Sequence, residues 1–260
     1  MTVGFEIEAA AQAIAAAIRL GEQIPRLPEG MRPCDLDDAY RIQDQIAGLL
    51  GPVGGWKVGR NSADGLDTCA PLFQARIFPG GVTRNPRTLL GTGVEIEFAF
   101  RIAADLPFRD RPYGLEEVRD AIDGFVPLVE LVGGRFLDRG SLEVQEQLAD
   151  GYGAGVFVGE VLADWRHIDF RALEAQLWID GTKCQSVTDV HPAGDPLVLV
   201  VWLANHLAMR HSIGGLRRGQ IVTTGGLAGV APVHGGEQIE ARYRLGDGTL
   251  LAALRFGFDR

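Results

Sequence analysis

Apolar residues recur with helical spacing at two places early in the chain. Ile7, Ala10, Ile14 and Ile18 fall on one stripe, and with the alanines around them they predict a helix over residues 5–20, ended by Pro25 and Pro28. Leu36, Ala39, Tyr40, Gln43, Ile46 and Leu50 predict a second over 36–50, with Asp35 as N-cap and Gly51-Pro52 as the stop. From residue 53 glycine and proline punctuate short apolar runs, which predict strands at 55–59, 94–103, 125–132, 154–159, 175–180, 220–224, 238–245 and 249–256. Residues 104–114 read as a surface loop and 116–123 as a short charged helix. Residues 196–211 read as a helix, because Asp195 can cap it, Pro196 takes its first position and Gly214-Gly215 follow its end. Strands outnumber helices after residue 53 without regular βα alternation. The fold class is therefore α+β, with a helical N-terminal region over 1–53 and a mixed-β domain over 54–260.

The 260 residues include 25 basic and 34 acidic ones, a formal net charge of −9, and 46% are hydrophobic. The apolar share excludes a disordered chain, and the acidic balance argues against a nucleic-acid partner, which needs a basic surface. The N-terminus carries acids and no basic region, so no signal peptide is expected, and the longest apolar stretch, 196–209, is shorter than a membrane span. Cys34, Cys69 and Cys184 stand far apart, which suits a reducing, cytoplasmic setting rather than a disulfide framework. The 35 glycines predict tight turns and a loop-built site.

Candidate chemistry sits at few positions. In Val94-Glu-Ile-Glu-Phe-Ala-Phe100, strand alternation puts Val94, Ile96, Phe98 and Phe100 on one face and Glu95 with Glu97 on the other. The two glutamate Cα atoms are then about 6.6 Å apart by the strand rise. Such like charges need water or a cation between them; a solvated outer face is the competing reading. Glu130 lies inside the apolar run 125–132, where a carboxylate is costly unless it is paired, for instance with Arg135, or coordinates a metal. Three carboxylates without a histidine would form an all-oxygen site, suited to Mg²⁺ or Mn²⁺ rather than Zn²⁺. The five histidines (His167, His191, His206, His211 and His234) show no zinc spacing and read as surface or satisfied core residues. Lys57, one of two lysines in the chain, sits among glycines beside Trp56; it is either a proton-transfer group near the core mouth or an ordinary solvated lysine. Gly151-Tyr-Gly-Ala-Gly155 leads into a strand rather than a helix, which argues against a dinucleotide loop and for close backbone approach. Thr223-Thr-Gly-Gly226 offers hydroxyl and backbone N–H groups, either to a carboxylate or within an ordinary turn.

The order of these motifs resembles the 2-keto-4-pentenoate hydratase and 4-oxalocrotonate decarboxylase family, within the fumarylacetoacetate hydrolase superfamily. The resembling run includes residues 38–43, 55–59, 94–100, 127–132, Ala149-Asp150 with 155–159, 194–197 with 202–205, 216–222 and 224–226. The resemblance implies a helical N-terminal part joined to a mixed β-sandwich-like roll and a homo-oligomer. It implies a Mg²⁺ or Mn²⁺ held by Glu95, Glu97 and Glu130, with Lys57 at the active site. It implies a lyase acting on a small 2-oxo or 2-hydroxydienoic acid, a hydratase first, with a decarboxylase, an acylpyruvate C–C hydrolase or a non-catalytic relative as alternatives. No histidine precedes the Glu95–Glu97 strand, which counts against the hydrolase. The chain departs from the family pattern at Arg60-Asn61-Ser62 (usually Leu-Thr-Ser), at Gly133-Gly-Arg135 (usually Asp-Ser-Arg) and at Asp150-Gly-Tyr-Gly-Ala154 (usually Asp-Asn-Ala-Ser). Arg60 becomes a candidate for a bidentate contact to a substrate carboxylate, and Asp150 and Thr224 are the further substrate-binding candidates.

Overall fold

A computed structural model describes residues 6–60, 65–151, 153–188, 191 and 193–260. Residue 5 of the expected first helix and Asn61, Ser62 and Tyr152, named above, lie outside the described residues. The helices are α1 (Ile7–Leu20), α2 (Leu36–Leu50), α3 (Leu115–Asp120), α4 (Val144–Asp150) and α5 (Pro196–Met209). The cap signals act as expected. Asp35 Oδ1 accepts from the Asp38 N–H at 2.9 Å, Asp195 does the same for Leu197, and α1 ends on Gly21 at φ +67°, a left-handed turn that favours glycine.

The strands are β1 (Val53–Arg60), β2 (Asp67–Phe73), β3 (Ile77–Pro79), β4 (Thr83–Arg84), β5 (Gly91–Ile102), β6 (Ile122–Gly133), β7 (Gly153–Val158), β8 (Glu174–Ile179), β9 (Thr182–Thr188), β10 (Ile221–Thr223), β11 (Ala231–Pro232), β12 (Gln238–Arg244) and β13 (Leu250–Phe258). They form two mixed sheets, ordered β2-β1-β10-β5-β6-β7-β3, with β11 on β5, and β4-β13-β12-β8-β9. Parallel pairs (β1 with β10, β3 with β7, β4 with β13) interrupt an otherwise antiparallel pattern. This is the expected α+β class. Strands β2 and β9, the short strands β3, β4 and β11, and helix α4, absent from the expected elements, complete it.

The long strands β5 and β6 are buried on both faces, and the two faces differ. Ile96, Phe98 and Phe100 point into the main core between the sheets, where Phe98 stacks on Phe125 and Phe125 meets Tyr243 edge-on. The other face carries a smaller apolar cluster of Leu72, Ala99, Val126, Leu128, Val156 and Ile221. Helix α2 packs on α1, α4 and β2. Its buried Gln43 fastens it there, Nε2 donating to the carbonyls of Cys69 in β2 (3.1 Å) and Leu148 in α4 (2.7 Å).

Candidate functional site

The register of β5 against β6 places Glu95 directly opposite Glu130, on the face that holds the small apolar cluster. Opposed residues in an antiparallel pair have Cβ atoms about 4.5–5.5 Å apart, so the two carboxylates are forced together. Glu97 lies two residues along the same face. Carboxylate oxygens of Glu95, Glu97 and Glu130 lie within 4.8 Å of one another. The face that carries the Glu-x-Glu pair is not an open solvated one here: Glu97 is 1% exposed and Glu95 half-buried, and Glu130 opposite is 3% exposed.

Lys57 arrives from β1, two strands over, through the register Lys57 to Thr223 to Ala99. Its Nζ donates to Glu130 Oε1 at 2.7 Å. Thr223 donates its hydroxyl to Glu97 Oε2. Burial, then the charge of Glu130, pushes the Glu97 carboxyl well above the ordinary carboxylate range, against the pull of the Thr223 hydroxyl and Lys57. The same two causes raise Glu95, while Lys57 and Arg139 oppose the rise. Three carboxylates with one lysine are thus short of positive charge, which is the condition a bound cation relieves. Two glycines let the backbone come close: a Cβ at Gly226 would stand 3.0 Å from the Glu95 carboxyl carbon, and one at Gly153 3.2 Å from Glu130 Oε1.

These groups open on a cavity of about 440 Å³, within the usual size range for small-molecule sites. Lys57 and the three glutamates line it together with Thr68 and Cys69 of β2, Gln147 and Leu148 of α4, and the backbone of Gly225-Gly226. Burial pushes the Cys69 thiol up to about 12, so it is an inert part of the wall.

The three substrate-binding candidates stand apart from this wall. Arg60 spends its fork on Asp67 across the β1–β2 pair, with contacts of 2.7 and 2.9 Å, so the carboxylate it meets belongs to the chain itself. Asp150 lines a second, smaller cavity of about 40 Å³ and is locked to Arg135, Nε to Oδ1 at 2.5 Å, with both side chains buried. Thr224 faces away, its hydroxyl 3.0 Å from His191 Nε2, in an environment whose burial lowers the histidine pKa to about 4. The residue beside it, Thr223, touches the acidic cluster instead. Strand alternation through β10 was the available signal for it: Thr223, not Thr224, shares the face of Lys57 and Ala99.

The fold and site together define a mixed-β domain with an all-carboxylate centre, and comparison with known proteins places it. Residues 70–254 match the model for the fumarylacetoacetate (FAA) hydrolase C-terminal domain, and the chain belongs to that family. It is similar to a 2-keto-4-pentenoate hydratase of Paraburkholderia xenovorans (strain LB400), 29% identical over 245 residues that cover 90% of this chain and 89% of that one. A 4-oxalocrotonate decarboxylase of Pseudomonas sp. (strain CF600) is 24% identical over 235 residues, 85% of this chain and 86% of the relative. Among solved structures, the 4-oxalocrotonate decarboxylase of Pseudomonas putida G7, complexed with magnesium and adipate, shares the fold with a TM-score of 0.82 at 23% identity, covering 97% of each chain. No helix among the described residues is long and apolar enough to cross a membrane.

Proposed function

We propose that this chain is a divalent-cation-dependent lyase that hydrates a 2-oxo or 2-hydroxydienoic acid. The observation that carries the reading is the convergence of Glu95, Glu97 and Glu130, with Lys57 against Glu130, on the floor of a small-molecule cavity. The donor set fits the cation. Three carboxylates with no nitrogen or sulfur ligand match the oxygen preference of Mg²⁺ or Mn²⁺, and a divalent charge offsets what Lys57 leaves uncompensated. Near-full-length similarity to a hydratase and a decarboxylase supports a 2-oxo acid as the substrate class.

Held by these three glutamates, the cation supplies Lewis acidity for negative charge developing on a substrate oxygen. The remaining steps fall to the side chains. Thr223 fixes the orientation of Glu97 through its hydroxyl. Lys57 Nζ holds a proton at the cavity edge and hands it to the substrate carbon during ketonisation, with Glu130 Oε1 keeping the amine in place. Ala70, opposite Lys57 in the β1–β2 pair, and Leu148 limit the water around that transfer. The similarity to decarboxylases supports a second reading on the same residues, in which CO₂ leaves instead of water adding; trapping of released CO₂ distinguishes the two.

The centre is tested without a substrate by titrating metal-free protein with Mn²⁺ and following electron paramagnetic resonance. The expected result is one tight site per chain, weakened at least tenfold in Glu97→Gln. No site in the wild type, even with oxalate added to complete the coordination, refutes the reading.

A further inference from the structure

The acidic floor occupies only part of the cavity, and the rest of the wall formed by the described residues has a consistent character. Leu66 and Ala70 line it from the β2 side, and Val144 and Leu148 from α4. Among the described residues the neutral polar side chains beside them are Thr68 and Gln147, and the Gln147 amide already donates to the Leu142 carbonyl at 2.9 Å. We propose that this wall selects 2-oxo monocarboxylates with an uncharged apolar tail and discriminates against dicarboxylates, with α4 as the element that sets the preference. The inference rests on the 2-oxo acid reading above and goes beyond it by naming the chemistry of the substrate's far end.

A second carboxylate in this space would need a cation or several donors to replace its water. Among the described residues Lys57 is the one cation in the lining, and Glu130 holds it. Arg60 is taken by Asp67 and Arg135 by Asp150. The sequence carries no lysine or arginine between Arg60 and Arg76, so the segment leading into the β2 wall adds none. Arg139 does not line the cavity. The glutamates also repel a second negative charge, whereas an alkyl or alkenyl tail gains by covering Leu66, Val144 and Leu148.

The test compares two inert probes of equal chain length, 2-oxohexanoate and 2-oxoadipate, which differ only in the second carboxylate. Their binding to the Mg²⁺-loaded protein is measured by calorimetry. The monocarboxylate is expected to bind at least tenfold more tightly. Val144→Arg and, independently, Gln147→Arg are expected to shrink or reverse that ratio, because each adds a cation to the α4 wall; Arg139→Ala is expected to leave it unchanged. Equal or tighter binding of 2-oxoadipate by the wild type overturns this inference alone. Binding of neither probe, with Mg²⁺ bound, overturns the inference and the 2-oxo acid reading together.

Discussion

Replacing Asp150 by asparagine separates two roles for this residue, substrate contact and structural anchor. The structure makes it an anchor. Its carboxylate is 1% exposed and meets the 4%-exposed Arg135 side chain at 2.5 Å; the same guanidinium donates to the Gly153 carbonyl at 2.6 Å and to the Asp150 carbonyl. Asparagine keeps the shape but removes the charge, leaving a buried guanidinium without its counter-ion. Breaking a buried pair from one side costs about 3–5 kcal/mol. At roughly 2–4 °C per kcal/mol for a chain of this size, the melting temperature is expected to fall by about 6–20 °C. Because Arg135 also grips Gly153, whose neighbourhood includes Glu130, cation affinity is expected to weaken along with stability. The double variant Arg135→Met with Asp150→Leu removes both charges and is expected to recover most of the lost stability. Calorimetric or urea unfolding of the three proteins checks this. An Asp150→Asn protein that melts within about 2 °C of wild type while its KM rises would refute the anchor and restore a substrate contact.

Three further outcomes are expected. Gly226→Ala places a Cβ 3.0 Å from the Glu95 carboxyl carbon, so Mn²⁺ affinity is expected to drop at least tenfold with little change in melting temperature, as read by paramagnetic resonance. Thr223→Val removes the hydroxyl that Glu97 accepts from; losing a hydrogen bond to a charged group costs about 1.5–3 kcal/mol, so a tenfold or larger loss of cation affinity is expected in calorimetry. His206 is half-buried between Trp202 and Tyr40 beside Arg210, and its partial burial, then Arg210, lowers its pKa to about 4 from an unfolded value near 6.5. The folded state therefore prefers the neutral ring, and stability is full above about pH 6.5 and declines as pH falls towards 4. His206→Phe is expected to flatten that decline, and parallel urea midpoints for the two proteins between pH 7 and 5 would contradict it.

What the sequence disclosed follows from where local rules decide. The alternation in 94–100 is strong enough to put Glu95 and Glu97 on one face, and Glu130 stands out because its neighbours are all apolar. The opposition of Glu95 and Glu130 is a register, set by the pairing of strands some thirty residues apart, and no local pattern reports it. Strand β2 contains Pro71, which argues against a strand except at a sheet edge, and the edge is where β2 lies. Strand β9 is the edge of the other sheet and mostly exposed, so it carries no apolar alternation. Helix α4 is only seven residues long and opens on Glu143 rather than a preferred cap. Arg60 is a candidate for its charge and Asp150 for its place in the family pattern; their partners Asp67 and Arg135 decide what each side chain does, and partnership of this kind is a property of packing.

The two hydrogen bonds from Gln43 have a consequence for the order in which the molecule is completed. One of them reaches Leu148, 105 residues further along the chain. During synthesis α2 leaves the ribosome early, yet its polar anchor has no acceptor until β2 and then α4 have emerged. The wall of the cavity therefore closes late, and a nascent chain stopped before residue 148 holds α2 against α1 and β2 with only one of the two Gln43 bonds made. Translation that pauses there would expose the part of α2 that α4 covers for as long as the pause lasts.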